Sequence, residues 1–181
     1  DAAVPSTDDP LGDADGQDVP GGGGGEISSA QRFQGMIGYW KNEEATRATI
    51  RDGWIYTGDL ARVEGDGYFT VIDRKRDMII SGAENIYPKE IEDLLVTHPA
   101  VSEVAVFGIP DDIYGECVAA AVVRKGGHEV DEQEIIAFCA TRLASYKKPR
   151  RVEFVAELPK NATGKVTKHV LRAPFWPGRG R

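Results

Sequence analysis

Several side chains have types and spacings able to handle phosphates, sugars or thiols. Trp54-Ile55-Tyr56-Thr57-Gly58-Asp59 ends in an Asp held by a tight turn. A carboxylate so placed can accept two hydrogen bonds from a vicinal diol such as a nucleotide ribose. A Gly-Asp pair is equally the residue choice of a plain turn. The run Asp73-Arg74-Lys75-Arg76-Asp77 places Arg74 and Arg76 at the junction of two sequence patterns. Guanidinium groups there can bind phosphate or sugar oxygens or mark a hinge; the alternative is a solvated linker. Ser81-Gly82-Ala83-Glu84-Asn85-Ile86-Tyr87-Pro88 reads as a small-residue loop before a helix. Its small residues would let a ligand approach the backbone, or would simply join strand to helix. Leu158-Pro159-Lys160-Asn161-Ala162-Thr163-Gly164-Lys165 sets a Lys after a Gly in a loop. It is not a P-loop, because the first Gly would fall at Pro159 and Val166 supplies no hydroxyl for a metal. Such a Lys can instead be a mobile cation reaching into a site built elsewhere. Asn161-Ala162-Thr163 has the form of a glycosylation sequon, but nothing indicates secretion.

Two further features carry less. Residues 142–181 hold eleven Lys or Arg against Glu153 and Glu157. No stacking aromatics interleave with these charges, so a nucleic-acid surface is disfavoured against polyphosphate attraction or a solvated face. Cys139 shares the stripe Ile135, Phe138, Leu143 and belongs to a core.

The elements that must position these residues change character along the chain. Asn42 suits the N-cap of a short helix over 43–50, with two acids in its first turn. Asp52-Gly53 marks a turn. Leu60 to Val63 and Tyr68 to Ile72 read as a hairpin around Glu64-Gly65-Asp66-Gly67. Beyond residue 77 strands and helices alternate. Met78 to Ile80 is a short strand, followed by a helix from Pro88 to His98 with Ile91, Leu94 and Leu95 on one stripe. Val101 to Phe107 is a strand, and Cys117 to Val123, apolar throughout, is a central strand covered on both faces. Asp131 with Glu134 resembles a capping box opening a helix to about Leu143. Val152 and Phe154 alternate with charges as an edge strand would, and Val166 to Arg172 is a last helix. The fold class is α+β: a small C-terminal domain, a short sheet flanked by helices, preceded by pieces of a β structure.

Composition narrows the class. The 181 residues carry 22 Lys and Arg, 29 Asp and Glu, and a net charge of −7. Seven acids and no Lys or Arg lie in residues 1–31, so the remainder is neutral and the acidity belongs to a lead-in. Residues 1–25, with seven Gly and six Asp, cannot bury enough apolar surface to offset ordering and are expected to be flexible. They have neither a basic start nor an apolar centre, so no signal peptide is expected. The longest apolar run is far too short for a membrane span. Two cysteines and three scattered His give no disulfide framework or structural zinc site, and suit a reducing cytoplasm.

Taken in order, Gly38-Tyr39-Trp40-Lys41-Asn42-Glu43-Glu44-Ala45-Thr46, Asp52-Gly53-Trp54 with Thr57-Gly58-Asp59, the run 73–77 leading into 81–88, and Leu158 to Lys165 resemble the last third of an adenylate-forming (AMP-binding) enzyme, most closely an acyl-CoA synthetase or fatty-acid–CoA ligase. The resemblance covers roughly residues 11–172. It implies formation of an acyl-adenylate from a carboxylic acid and ATP with Mg2+, then thioester formation with CoA and release of AMP. It implies Asp59 and Arg74 on the ribose hydroxyls, Arg76 as the hinge, and Lys165 as the catalytic cation at the α-phosphate. Gly82 and Ala83 would line the pantetheine tunnel. The expected division is a lead-in (1–25), a remnant of a large domain's β subdomain (26–75), a C-terminal lid (76–173) and a tail (174–181).

The sequence departs from the family where Arg76 replaces the usual Lys or Asp and Ala83 a common Gly. The run Gly21 to Gly25 replaces a Pro- and Glu-containing turn. A phosphate loop, the Mg2+ segment and the acyl pocket would belong to a missing N-terminal domain, the expected partner. The isolated chain is therefore expected to be inactive in adenylation. The alternatives are a non-catalytic module that binds CoA or a nucleotide or complements a partner chain, and a peptide-synthetase or luciferase-like relative.

Overall fold

The computed structural model describes residues 11–12, 24–31, 35–64 and 68–177. The chain forms two compact units, Asp1–Arg76 and Asp77–Arg181. Most of the lead-in expected to be flexible lies outside the described residues.

The first unit is a five-stranded sheet. Its strands are β1 (Leu11–Gly12), β2 (Gly24–Ala30), β3 (Ile50–Arg51), β4 (Trp54–Val63) and β5 (Phe69–Arg74), with helix α1 (Glu43–Thr49) before β3. β4 is the hub and pairs antiparallel with β2, β3 and β5. α1 begins as expected, with the Asn42 side chain accepting from Ala45 N at 3.0 Å. The hairpin is real, but its first strand starts at Trp54 rather than Leu60. Asp59 is therefore on an irregular strand, not at a tight turn. Glu26 pairs with Leu60 and Ser28 with Tyr56, so Thr57, Gly58 and Asp59 together face Ile27 alone. The strand absorbs the surplus as a bulge, with Gly58 at φ +77°, a conformation that favours glycine. β2 had no sequence signal, since Gly-Gly-Glu-Ile-Ser-Ser-Ala lacks clean alternation. A small core joins Ala61 and Phe69 to Ile27 and Val63.

The second unit is a mixed sheet with a core on each face. Its strands are β6 (Ile79–Ser81), β7 (Glu84–Ile86), β8 (Val101–Asp111), β9 (Gly115–Arg124) and β10 (Arg151–Phe154). Helices α2 (Pro88–Leu95), α3 (Glu132–Ala140) and α4 (Lys168–Arg172) complete it. β9 pairs antiparallel with β8 along its length, parallel with the edge strand β10, and with β6 at one residue. The apolar run in β9 splits by parity. Val118, Ala120 and Val122 enter a core with Ile91 and Leu95 of α2 and Ile135 and Cys139 of α3. Cys117, Ala119 and Ala121 enter the other with Phe107 and Leu158. Ladder geometry makes neighbouring β9 residues face opposite sides, so a continuous apolar run is required.

Asp131 caps α3 by accepting from Glu134 N at 2.8 Å. Three ends differ from expectation. α2 stops at Leu95 and α3 at Ala140, the residues beyond forming turns. α4 starts at Lys168 because Val166 is taken by a bridge to Lys160. The segment 81–88 is not a plain strand-to-helix loop. It turns at Gly82 and returns as β7, antiparallel to β6. The chain beyond α4 packs as well: Phe175 lies 5.9 Å from Phe107, and Trp176 Nε1 donates to Gly108 O at 3.2 Å. Among the described residues no helix is long and apolar enough to cross a membrane.

Candidate functional site

In the first unit, strand pairing brings Asp59 opposite Arg74. Arg74 Nε lies 3.2 Å from Asp59 Oδ1, and the two side chains are 48% and 37% exposed. A pair this accessible can offer both an acceptor carboxylate and donor N–H groups to a ligand, and contributes little to stability. The bulge that presents Asp59 is held by side-chain oxygens. Gly58 N donates to Glu26 Oε1 at 3.0 Å, Asp59 N to Thr57 Oγ1 at 3.1 Å, and the Thr57 hydroxyl to Ile27 O at 2.8 Å. On the facing strand, Arg74 N donates to Asp73 Oδ1 at 2.7 Å. Arg76, exposed, lies in the 3-10 turn Lys75–Asp77. A concavity of about 510 Å³ is lined by Tyr39, Thr57, Gly58, Arg74, Lys75 and Arg76.

In the second unit, Gly82 occupies the β6–β7 turn at φ +63° and donates its N–H to Tyr114 O at 2.7 Å. A Cβ there would meet Tyr114 Cδ1 at 3.4 Å. Gly82 and Ala83 border a cavity of about 450 Å³ that Tyr114, Tyr146, Lys148 and Arg150 also line. The Arg150 guanidinium lies 5.0 Å from the Tyr114 ring centroid and pairs with Asp111 at 2.9 Å. Backbone N–H groups of Tyr114 and Ile113 hold the Asp111 carboxyl below the usual carboxylate range. Sequence reasoning noted the basic stretch but did not single out these four side chains. For Tyr146, Lys148 and Arg150 the signal was the compact run Tyr146-Lys147-Lys148-Pro149-Arg150; Tyr114 had none.

Lys165 stands exposed on a loop of its own. Asn161 Oδ1 accepts from Thr163 N, Thr163 Oγ1 and Lys165 N at 3.0, 2.8 and 2.9 Å. Backbone bonds from Asn161 N to Lys165 O and from Gly164 N to Asn161 O close the loop, with Gly164 at φ +79°. Lys168 behind it is anchored to Glu92 at 2.7 Å. The structure thus brings Asp59 and Arg74 together in the first unit; Arg74 and Arg76 line the concavity, and Asp59 does not. It brings Gly82 and Ala83 together in the second, where Lys165 does not line the cavity. Cys139 is fully buried, and burial pushes its thiol up to about 11, as suits a core residue. Among the described residues no group of three or more His, Cys, Asp or Glu is placed to hold a metal.

Residues 90–165 match the AMP-binding enzyme C-terminal domain. This chain carries an AMP-binding enzyme C-terminal domain. A feruloyl-CoA synthase of Amycolatopsis sp is 48% identical over 176 residues, covering 96% of this chain and 36% of that protein. A long-chain-fatty-acid–CoA ligase of Mycobacterium tuberculosis is 50% identical over 137 residues, 76% of this chain and 27% of that protein. ATP-bound MatB from Rhodopseudomonas palustris superposes with a TM-score of 0.84 at 38% identity, over 96% of this chain and 35% of that one. The chain spans about a third of the length of the curated relatives it matches. These relatives are acyl-CoA ligases, and the α+β architecture is that of their C-terminal portion.

Proposed function

We propose that this chain supplies the C-terminal machinery of an ATP-dependent acyl-CoA ligase. The observation that carries the reading is the accessible Asp59–Arg74 pair on its bulged strand, in a chain about half identical to CoA ligases. In the first step a carboxylate oxygen attacks the α-phosphorus of ATP. The bond to the β-phosphate bridge breaks and pyrophosphate leaves. In the second, the CoA sulfur attacks the acyl carbonyl, the acyl–phosphate bond breaks, AMP leaves, and the thiol proton goes to solvent.

Each residue has a role its setting supports. Asp59 accepts from the ribose hydroxyls and Arg74 donates to them. Lys165, exposed on a loop ordered by Asn161, donates to α-phosphate and carboxylate oxygens where negative charge develops. Gly82 and Ala83 leave room for the pantetheine arm beside the backbone. Arg76 is the hinge at which the lid (76–173) changes its pose, withdrawing Lys165 between steps. Mg2+ neutralises polyphosphate charge when bound, but the carboxylates described here do not form a site that fits it. The enzyme works in the cytoplasm, on a carboxylic acid selected by an acyl pocket that residues outside this chain supply.

The test is acid-dependent ATP–pyrophosphate exchange by the purified chain across short, long and aromatic acids, with Lys165→Ala as control. The purified chain alone is expected to show none above that control, because its acyl pocket lies elsewhere; exchange that Lys165→Ala abolishes would show that the chain suffices for adenylation and overturn that expectation. The coverage of about a third of the relatives' length favours one alternative, a CoA- or nucleotide-binding module that complements a partner. No exchange together with saturable CoA binding would favour it.

A further inference from the structure

Glu26 is a carboxylate with only 7% of its side chain exposed, in a small sheet where an apolar residue would cost less to bury. Its two oxygens have separate partners. Oε1 accepts from Gly58 N at 3.0 Å, and Oε2 from Lys75 Nζ at 2.8 Å. Gly58 precedes Asp59, and Lys75 follows Arg74. One buried side chain therefore grips both strands beside the pair that faces solvent. We propose that Glu26 is the positioning residue of the Asp59–Arg74 pair, setting its geometry for a ribose diol; this rests on the reading of that pair given above.

The reasoning turns on which contact can hold which. Asp59 and Arg74 are both substantially exposed, and an exposed ion pair is too weak to fix its own geometry. The bulge gives Asp59 its direction, yet Gly58 N lies where β2 and β4 lose register, with no ladder partner facing it. Glu26 Oε1 supplies the missing acceptor. A buried charged acceptor is both stronger and harder to displace than an exposed one. The ammonium of Lys75 balances its charge and fastens the end of β5 to β2. Glu26 thus acts through Gly58 and Lys75 and touches neither member of the pair.

The test measures binding of AMP and of 2′,3′-dideoxyadenosine monophosphate by the 181-residue chain, because their affinity ratio isolates the ribose hydroxyls. Circular dichroism checks folding. The unaltered chain should prefer AMP, and Asp59→Asn should collapse the ratio. Glu26→Ala should lower it about tenfold, one charged hydrogen bond's worth. Glu26→Gln should lower it less, since its carbonyl still accepts from Gly58 N, and Lys75→Met should fall between the two. If Asp59→Asn collapses the ratio while folded Glu26→Gln and Lys75→Met keep it, Glu26 is not a positioning residue and the ribose reading stands. If the unaltered chain shows no preference, or Asp59→Asn does not change it, the ribose reading fails and this inference with it.

Discussion

Gly108 is where the second unit leaves no room for a side chain. A Cβ built there would lie 2.5 Å from Glu116 Oε2 and 3.4 Å from Ile79 Cγ1. Glu116 is buried and accepts from Ile80 N at 3.3 Å, across from the hairpin that carries Gly82. In Gly108→Ala the nearest atom is the end of a flexible side chain, so the backbone can stay in place. The cost comes from pushing a buried carboxylate off its donor. Overpacking contributes about 1 to 3 kcal/mol and a weakened buried hydrogen bond about 1 kcal/mol, so the expected loss is roughly 2 to 4 kcal/mol. For a unit near 100 residues that lowers Tm by roughly 10 to 20 °C. Denaturant melts should show it, and a double-mutant cycle assigns the cause. Glu116→Ala removes the clashing oxygen, so adding Gly108→Ala in that background should cost under about 0.5 kcal/mol. Additive losses would refute the steric argument, as would a single Gly108→Ala variant as stable as the parent.

Four other outcomes follow from the same contacts. Asn161→Ala removes the acceptor of three loop hydrogen bonds, and should cost the amides of Thr163 and Lys165 their protection from hydrogen exchange while changing global stability by less than about 1 kcal/mol; retained protection would show that the loop needs no such support. Cys139 keeps its proton to about 11 when folded but ionises near 9.0 when unfolded, so the unfolded state sheds it first. Its contribution is therefore complete below about pH 9 and lost as pH rises towards 11, about 3 kcal/mol in all, and Cys139→Ala should flatten that part of the stability–pH curve. Asp131→Ala should cost about 1 kcal/mol through loss of the α3 cap, measured by urea unfolding, whereas Asp131→Asn should cost much less. Trp176→Phe deletes the bond to Gly108 O together with the five-membered ring of the indole, and should destabilise by about 1 to 2 kcal/mol in the same assay.

Local signals were legible where the residues themselves carry the reason. Asn42 and Asp131 announced their helices because an N-cap needs a side-chain oxygen at one position. The apolar run at 117–123 announced a strand buried on both faces, and parity then sent alternate residues to two cores. What stayed hidden depends on partners distant in the chain. β2 owes its conformation to β4, some thirty residues on, and β7 exists because β6 returns on itself through Gly82. The length of β4 was missed because Thr-Gly-Asp has turn chemistry, which a strand can still accommodate as a bulge. For the candidate site, residue type and order suggested the chemistry proposed for Asp59, Arg74 and Lys165. The holders gave no such signal: Glu26 in a glycine-rich stretch looks like one more acid of the lead-in, and Asn161 looks like an ordinary turn residue. Tyr114 joins Tyr146 and Arg150 around one cavity only after β8 and β9 have paired.

The two units share a device that links these hidden residues to the site. Each buries a glutamate whose oxygen accepts a strand's backbone N–H, at a bulge in the first unit and on a regularly paired strand in the second. Glu26 takes Gly58 N at the β4 bulge, one residue before Asp59, and Glu116 takes Ile80 N on β6, two residues before Gly82. Burying a carboxylate is expensive, and an apolar side chain would stabilise either core more cheaply. An apolar side chain, however, would leave that N–H without its acceptor, and at the β4 bulge the backbone would slide to regain a ladder bond. Regular pairing at the bulge would turn Asp59 out of line with Arg74. The buried charge thus trades stability for backbone placement, and the trade is made beside the two places proposed above to meet a ligand. On this argument Glu26→Leu and Glu116→Leu should each leave a folded unit, changed in stability by no more than about 2 kcal/mol in either direction, while the amides of Gly58 and Ile80 lose protection from hydrogen exchange. Retained protection at both amides would show that the sheet supplies its own acceptors and that the glutamates are there for another reason.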